Sequence, residues 1–104
     1  MDNEEKKEEK PRQVKLQLQL DEETAQGRYV NFGIVNHTPT EFVLDFVFIQ
    51  PGQPRGKVLA RIITSPMHAK RFQLAMAENL ARFEARFGPI RLPDAVKHTD
   101  PIMH

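Results

Sequence analysis

Apolar and polar residues alternate strictly over residues 14–20. Valine and leucine occupy every second position from Val14 to Leu20, and lysine and glutamine lie between them. A period of two residues is typical of a β-strand with one buried face. The pattern therefore predicts a first strand over residues 14–20. The following DEETAQG sequence predicts a turn in which Gly27 is free to adopt a positive φ.

Three more extended segments follow. Residues 28–37 resume an extended pattern, residues 41–49 are rich in β-branched and aromatic side chains, and residues 57–64 follow a loop with two prolines and two glycines. The connections between the predicted strands are too short for helical crossovers. We therefore expect an antiparallel meander of four strands.

A long helix is predicted after the last strand. Ser65 is a typical N-cap, Pro66 suits the first helical position, and Gly88 and Pro89 provide a stop. Large apolar residues recur at three- and four-residue spacing and form what we call the apolar stripe: Phe72, Met76, Leu80, Phe83 and Phe87. The predicted fold class is α+β, with the order β-β-β-β-α and one helix layered on one sheet.

The length of 104 residues leaves room for one core only. We expect a single α+β domain over residues 14–90, a disordered charged tail over residues 1–13, and a flexible C-terminal tail over residues 91–104. The sequence has no cysteine, which excludes disulfides, thiolate metal sites and cysteine nucleophiles. It also shows no apolar run of membrane-spanning length and no signal sequence, so we expect a cytoplasmic protein.

The third and fourth predicted strands are apolar on both faces. In the fourth, Val58, Ala60 and Ile62 alternate with Leu59, Arg61 and Ile63. A single helix covers one face only, and an exposed apolar patch usually marks an interface. We therefore predict a homodimer. The alternative is that other parts of the same chain cover the second face. The interface candidates are Val43, Asp45, Val47, Ile49, Leu59, Arg61 and Ile63.

Two charged residues interrupt these apolar strands. If the third and fourth strands are antiparallel neighbours, Asp45 and Arg61 lie nearly opposite each other on one face. We expect them to form an ion pair that fixes the register. Removing only Asp45 should then destabilise the fold more than removing both residues.

The stretch from about Leu16 to Ile90 resembles a small family of bacterial and archaeal proteins catalogued as domain of unknown function 3467. The residues that carry the resemblance are Asp21-Glu22-Glu23, Ala25, Gly27, Tyr29, Asn31, His37, Glu41-Phe42, Leu44-Asp45-Phe46, Pro51-Gly52, Val58, Arg61-Ile62, Pro66, His68-Ala69-Lys70, Asn79, Glu84 and Phe87-Gly88. The resemblance implies no reaction, cofactor or catalytic residue.

No motif for catalysis or for a cofactor is present. The four histidines have no metal-ligand spacing, and the glycines fit neither the dinucleotide nor the P-loop pattern. We therefore predict no cofactor, no metal site and no enzymatic activity. The enzymatic alternative is an unknown hydrolase in which His37 or His68 pairs with Asp45 as a general base.

The charge is uneven along the chain. Residues 25–92 hold nine basic and four acidic side chains, a net charge of +5. A basic surface allows binding of single-stranded nucleic acid, although few aromatic residues remain for base stacking. The candidate basic residues are Arg28, Arg55, Lys57, Lys70, Arg71, Arg82 and Arg86.

The favoured interpretation is a non-enzymatic, homo-oligomeric binding or assembly module whose partner is a protein. We rank a protein partner above nucleic acid because the apolar surplus lies on predicted interfaces. The layout is also similar to that of the SecB-type export chaperones, which leaves a holdase as a further alternative.

Overall fold

The computed structural model describes residues 15–93. The elements are, in chain order, α1 (Glu22–Gln26), β1 (Phe32–His37), β2 (Phe42–Ile49), β3 (Gly56–Thr64) and α2 (Pro66–Phe87). The strands form an antiparallel sheet in the order β1-β2-β3. The α+β class and the C-terminal helix are confirmed, but the sheet of the described residues has three strands and not four.

The predicted first strand is the missing one. Val14 lies outside the described residues, and residues 15–20 pair with no strand in residues 15–93. Leu16, Leu18 and Leu20 are 75%, 82% and 69% exposed. A strand needs a neighbour for its backbone N–H and C=O groups. The alternation at this position therefore marks a segment suited to a sheet that finds no partner strand within residues 15–93.

The predicted turn at DEETAQG contains the short helix α1. The Asp21 carboxylate accepts a hydrogen bond of 2.8 Å from the backbone N–H of Thr24. Hydrogen bonds from the side chain of Thr24 and from this N–H lower the pKa of Asp21. Gly27 ends the helix with a φ of 74°, as its conformational freedom predicted. The acidic residues Glu22 and Glu23 favour the helix because they lie in its first turn.

The three strands pair in a register with one irregularity. Phe46 lies opposite Ala60, but Val47 lies opposite Val58, which leaves Leu59 as an extra residue in β3. Such a β-bulge breaks the alternation of faces. The prediction that Val58 shares a face with Ala60 and Ile62 is therefore wrong, because Val58 lies beside Val47 on the opposite face. Strand periodicity alone does not reveal a single inserted residue.

The long helix begins and ends where the sequence predicts. The Ser65 hydroxyl accepts a hydrogen bond of 3.1 Å from the N–H of His68, and Gly88 follows the last turn with a φ of 98°. No residue of α2 is buried. The expectation that α2 forms a layer over one sheet face within the chain is therefore wrong. Only the first turns of α2 lie beside the sheet.

Burial in the described protomer is confined to the middle of β2. Among residues 15–93, only Val47 (5% exposed) and Asp45 (1% exposed) are buried. Neither helix is both long and apolar enough to cross a membrane. The predicted N-terminal tail over residues 1–13 lies outside the described residues, as does the predicted C-terminal tail over residues 91–104 except for residues 91–93.

Candidate functional site

One sheet face is apolar and open. Residues paired across the strands share a face, so β1, β2 and β3 place Val35, Leu44 and Ile62 side by side. Phe46 lies on the same side, opposite Gly33 and Ala60. We call this surface the front face and define it by Val35, Leu44, Phe46 and Ile62. Val35 is 61% exposed and Ile62 is 48% exposed. The front face is therefore available for contact.

A groove connects the front face to the start of α2. It is lined by Leu44, Phe46, Ile62, Thr64, His68 and Phe72. Because β3 leads into α2 through Ser65 alone, the first helical turns are fixed against the end of the sheet. Phe72 is 54% exposed although it lines this groove. The lining is mostly apolar, which suits an apolar side chain from a second molecule.

The apolar stripe of α2 continues away from the groove. Met76, Leu80, Phe83 and Phe87 follow one another at spacings of four, three and four residues, and Ile90 lies just beyond the end of α2. The mixture of three- and four-residue spacings keeps the stripe on one side of the helix, as in the seams along which two helices pack. These residues line a shallow surface groove, and their exposure ranges from 42% to 66%. Such a seam is suited to another helix.

The opposite sheet face, which we call the back face, carries the predicted ion pair. Asp45 lies opposite Arg61 in the register, as the sequence predicts. The Nε and Nη2 atoms of Arg61 donate hydrogen bonds of 2.7 and 2.9 Å to the two carboxylate oxygens of Asp45. This bidentate geometry is the strongest form of such a pair. The Asp45 side chain is nearly inaccessible, whereas that of Arg61 is 56% exposed.

The ion pair changes the acidity of both members. The hydrogen bonds from Arg61 lower the pKa of Asp45 below its ordinary value of 3.8, although burial acts in the opposite direction. The same hydrogen bonds raise the pKa of Arg61. Both groups are therefore charged throughout the neutral range.

The interface candidates from the sequence differ widely in how exposed they are. Asp45 and Val47 are buried within one protomer, while Val43 and Ile49 are half-buried. Ile63 is 56% exposed, and it shares the back face with Val43, its partner in the register. Leu59 is the bulge residue. The back face therefore offers less open apolar surface than the front face and the stripe of α2 provide together.

The chain that precedes β1 is bound across the sheet. The side-chain amide of Asn31 donates to the carbonyl oxygen of Ile49 (3.0 Å) and accepts from its N–H (2.8 Å). The ring of Tyr29 meets that of Phe48 edge-on at 6.5 Å between centroids. Arg28 donates a hydrogen bond of 2.7 Å to the carbonyl oxygen of Leu59, the bulge residue. Sequence reasoning missed these contacts, since each joins positions that are far apart in the chain.

The histidines occupy local structural positions. The ring of His37 stacks on that of Phe42, its cross-strand partner, at 5.5 Å. The Nδ1 atom of His68 lies 3.0 Å from the Ser65 hydroxyl, beside the hydrogen bond that caps α2. His98 and His104 lie outside the described residues. Within residues 15–93 no three histidine or acidic side chains are grouped as metal ligands would be.

Several of the candidate basic residues contact their own chain. Arg28 binds the bulge carbonyl, Arg82 lies 3.5 Å from Glu78, and the guanidinium of Arg86 lies 5.2 Å from the centre of the Phe87 ring. Lys70 borders an apolar pocket with Phe42 and Pro66. Arg55, Lys57 and Arg71 are exposed. The basic residues are thus distributed over the loop, β3 and α2.

Comparison with known proteins identifies a family without an assigned activity. No curated protein and no solved structure shows a significant match to this sequence. A family profile described as "Protein of unknown function (DUF3467)" matches residues 1–92. This range includes the sheet, the front face and the whole of α2, so the chain belongs to the DUF3467 family.

Proposed function

We propose that the protein is a non-enzymatic homodimeric assembly module that binds a protein partner through its apolar surfaces. The observation that supports this proposal most directly is the lack of a core in one protomer: Val47 is the only buried apolar residue in the described part of the chain. Ordering a residue costs about 1–2 kcal/mol of backbone entropy, and burial is the main compensation. A second copy supplies the burial that one chain lacks.

The exposed apolar stripe has the size that a helix contact requires. A large apolar side chain presents on the order of 150–250 Å² to a partner, and the stripe residues are about half exposed. Covering five of them removes about 500 Å² of apolar surface from each copy. This is somewhat more than half of the roughly 800 Å² per partner of a standard interface, and it leaves the front face free for a further partner. The three- and four-residue spacings of the stripe favour α2 of a second copy as the covering element.

The groove at the start of α2 supports a protein as the further partner. Its lining combines the side chains of the front face with His68 and Phe72, and it holds few charged groups. This chemistry suits an apolar peptide segment better than a phosphate backbone. The distribution of basic residues over separate elements agrees with this ranking. Binding of single-stranded nucleic acid and a holdase role are the alternatives.

A pair of matched variants tests the dimer. Phe83→Asp places a charge in the stripe, and Ala85→Asp places the same charge on the opposite side of α2, about 200° away. By light scattering at tens of micromolar, the unchanged protein and Ala85→Asp should have twice the 12.0 kDa mass of one chain. Phe83→Asp should weaken the dimer at least 100-fold. Monomeric unchanged protein, or equal behaviour of the two variants, contradicts the proposal.

The partner class is tested with the full chain as bait. Ile62→Asp alters the front face, and Arg71→Asp is the control on an exposed position of α2. A protein partner should remain bound after nuclease treatment and be lost only with Ile62→Asp. Capture that nuclease abolishes, with a gel shift of single strands that falls steeply with salt, favours nucleic acid. Suppressed aggregation of any unfolded client favours the holdase.

A further inference from the structure

We propose that residues 15–20 of one copy form the fourth strand of the sheet in the other copy, paired with the edge of β1. This inference rests on the proposed homodimer and specifies how the two copies join. It also explains why the sequence predicts four strands while the described residues of one protomer form three. The two exchanges are reciprocal and close a two-fold symmetric assembly.

The donor segment has the features of a strand without its partner. Residues 15–20 lack helix or turn structure, and their leucines alternate with Lys15, Gln17 and Gln19. All six residues are exposed. Three leucines at about three-quarters exposure present a continuous apolar side to water, which is unfavourable in a free chain. Addition to a sheet edge provides hydrogen-bond partners for the backbone N–H and C=O groups, and it buries the leucine side at the same time.

The path of the chain directs the segment away from β1 of its own copy. Asn31 is bound to Ile49 in β2, Tyr29 contacts Phe48 in β2, and Arg28 reaches Leu59 in β3. These contacts lead from the β1 side of the sheet towards β3 as the chain is followed backwards. Helix α1 then intervenes between them and residues 15–20. Within the described part of its own copy, the free segment thus lies beside no strand.

The two sheet edges differ in their suitability as acceptors. The β3 edge has a bulge at Leu59, the Arg28 guanidinium on the bulge carbonyl, and the charged residues Lys57 and Arg61. Bulges and charges are the features that protect an edge from pairing. The β1 edge consists of FGIVNH, without charge, proline or bulge. We therefore assign β1 as the acceptor.

The lengths and side chains of donor and acceptor match. β1 has six residues, as does the exposed segment, and Val35 in its middle is 61% exposed on the front face. If Leu16, Leu18 and Leu20 lie on that side, they extend the front face by one strand. The lysine and the glutamines then lie on the back face. In this arrangement, only the leucines of the donor strand have side chains on the same face as Val35.

Disulfide formation tests the pairing, because the chain has no cysteine of its own. Val35→Cys is combined in the full chain with Leu16→Cys, Leu18→Cys or Leu20→Cys, and each double variant is oxidised and run without reductant. A disulfide requires Cα atoms about 4.4–6.8 Å apart. We expect one of the three to give a covalent dimer in most of the material. Val35→Cys with Gln17→Cys or Gln19→Cys is the matched control, expected to give none.

The outcomes separate this inference from the proposed function. Single-cysteine variants report disulfides between identical positions, and circular dichroism in reductant shows that each variant keeps its fold. A disulfide within one chain, crosslinking through the glutamine positions, or no crosslink in a protein that still has twice the mass of one chain overturns the strand exchange and leaves the homodimer standing. A monomeric unchanged protein overturns the homodimer and the strand exchange together.

Discussion

The sheet and the long helix differ in how many stabilising contacts each makes with the rest of its own protomer. β2 lies between two neighbours and holds both buried residues of the described protomer, whereas α2 has 22 residues and buries none. The sheet is held by long-range pairing and by the Asp45–Arg61 hydrogen bonds. The helix is held by its caps and its internal hydrogen bonds. The sheet is thus held by contacts within the described residues, whereas the apolar stripe of α2 is left uncovered by them.

This difference follows from the range of the forces involved. Caps and hydrogen bonds between successive turns form a helix wherever the local sequence allows it. Such a helix is marginal in water until its apolar side is covered. Changes in the sheet should therefore lower the stability of each protomer at any protein concentration, while changes in the stripe should act through assembly.

The largest loss within the sheet is expected from Arg61→Ala. This change leaves the Asp45 carboxylate, 1% exposed, without its two donated hydrogen bonds. Asp45→Ala leaves the half-exposed guanidinium of Arg61, which water solvates in part, so its effect should be smaller. In urea unfolding the order should be Arg61→Ala, then Asp45→Ala, then the double variant. An equal effect of the two single variants contradicts the asymmetry of the pair.

The next largest effect is expected at the end of the helix. Gly88 has a φ of 98° and a ψ of 166°, a region that other residues rarely adopt. Gly88→Ala should cost about 1–3 kcal/mol although no atom lies near the added methyl group. Gly33→Ala is the matched control, because Gly33 has no positive φ and its new methyl would only touch the Asp45 carbonyl. Thermal unfolding in which both variants match the unchanged protein contradicts this prediction.

A smaller effect is expected at the start of the helix. Ser65→Ala removes the acceptor for the His68 N–H and should cost about 1 kcal/mol. Ser65→Asp keeps an acceptor and should restore most of that loss. Ser65→Ala is also combined with Phe83→Asp, which is expected to be monomeric. The helical circular dichroism of this double variant shows whether the cap stabilises α2 before any partner binds. An unchanged helix signal in Ser65→Ala would show that the cap contributes nothing there.

The smallest effect concerns acid stability. The pKa of Asp45 is lowered in the fold, so its contribution is complete above the unfolded value near 3.8 and is lost as the pH falls through the lower folded value. The stability advantage of the unchanged protein over Asp45→Asn should be constant from neutral pH to about 4 and shrink below that. Urea titrations at several pH values measure it. An advantage that shrinks between pH 7 and 5 contradicts the assigned direction.

Local signals in the sequence were sufficient for some parts of the fold. Ser65-Pro66 and Gly88-Pro89 predicted both ends of α2, because caps depend on adjacent residues only. The Asp45–Arg61 pair was also predictable, because one short loop joins the two strands and brings these positions opposite each other. The α1 helix was missed, although an N-cap residue such as Asp21 followed by the acidic Glu22 and Glu23 is a recognisable helix start.

Long-range features were not accessible in the same way. The bulge at Leu59 depends on pairing with β2, and the contact from Arg28 to its carbonyl spans 31 positions. The pattern of residues 15–20 predicts a strand but does not state which edge it joins. In the same way, the stripe of α2 predicts a buried side without naming the surface that covers it. In both cases, sequence periodicity predicts which side of the segment is suited to burial but not the surface that would cover it.

Amide hydrogen exchange tests most directly whether a second copy covers α2. If a second copy covers α2, amides of residues 72–87 should be protected at tens of micromolar to an extent similar to those of β2. Dilution below the dissociation constant of the dimer should remove the protection of α2 first. Rapid exchange throughout α2 at high concentration, beside protected amides in β2, would contradict the account.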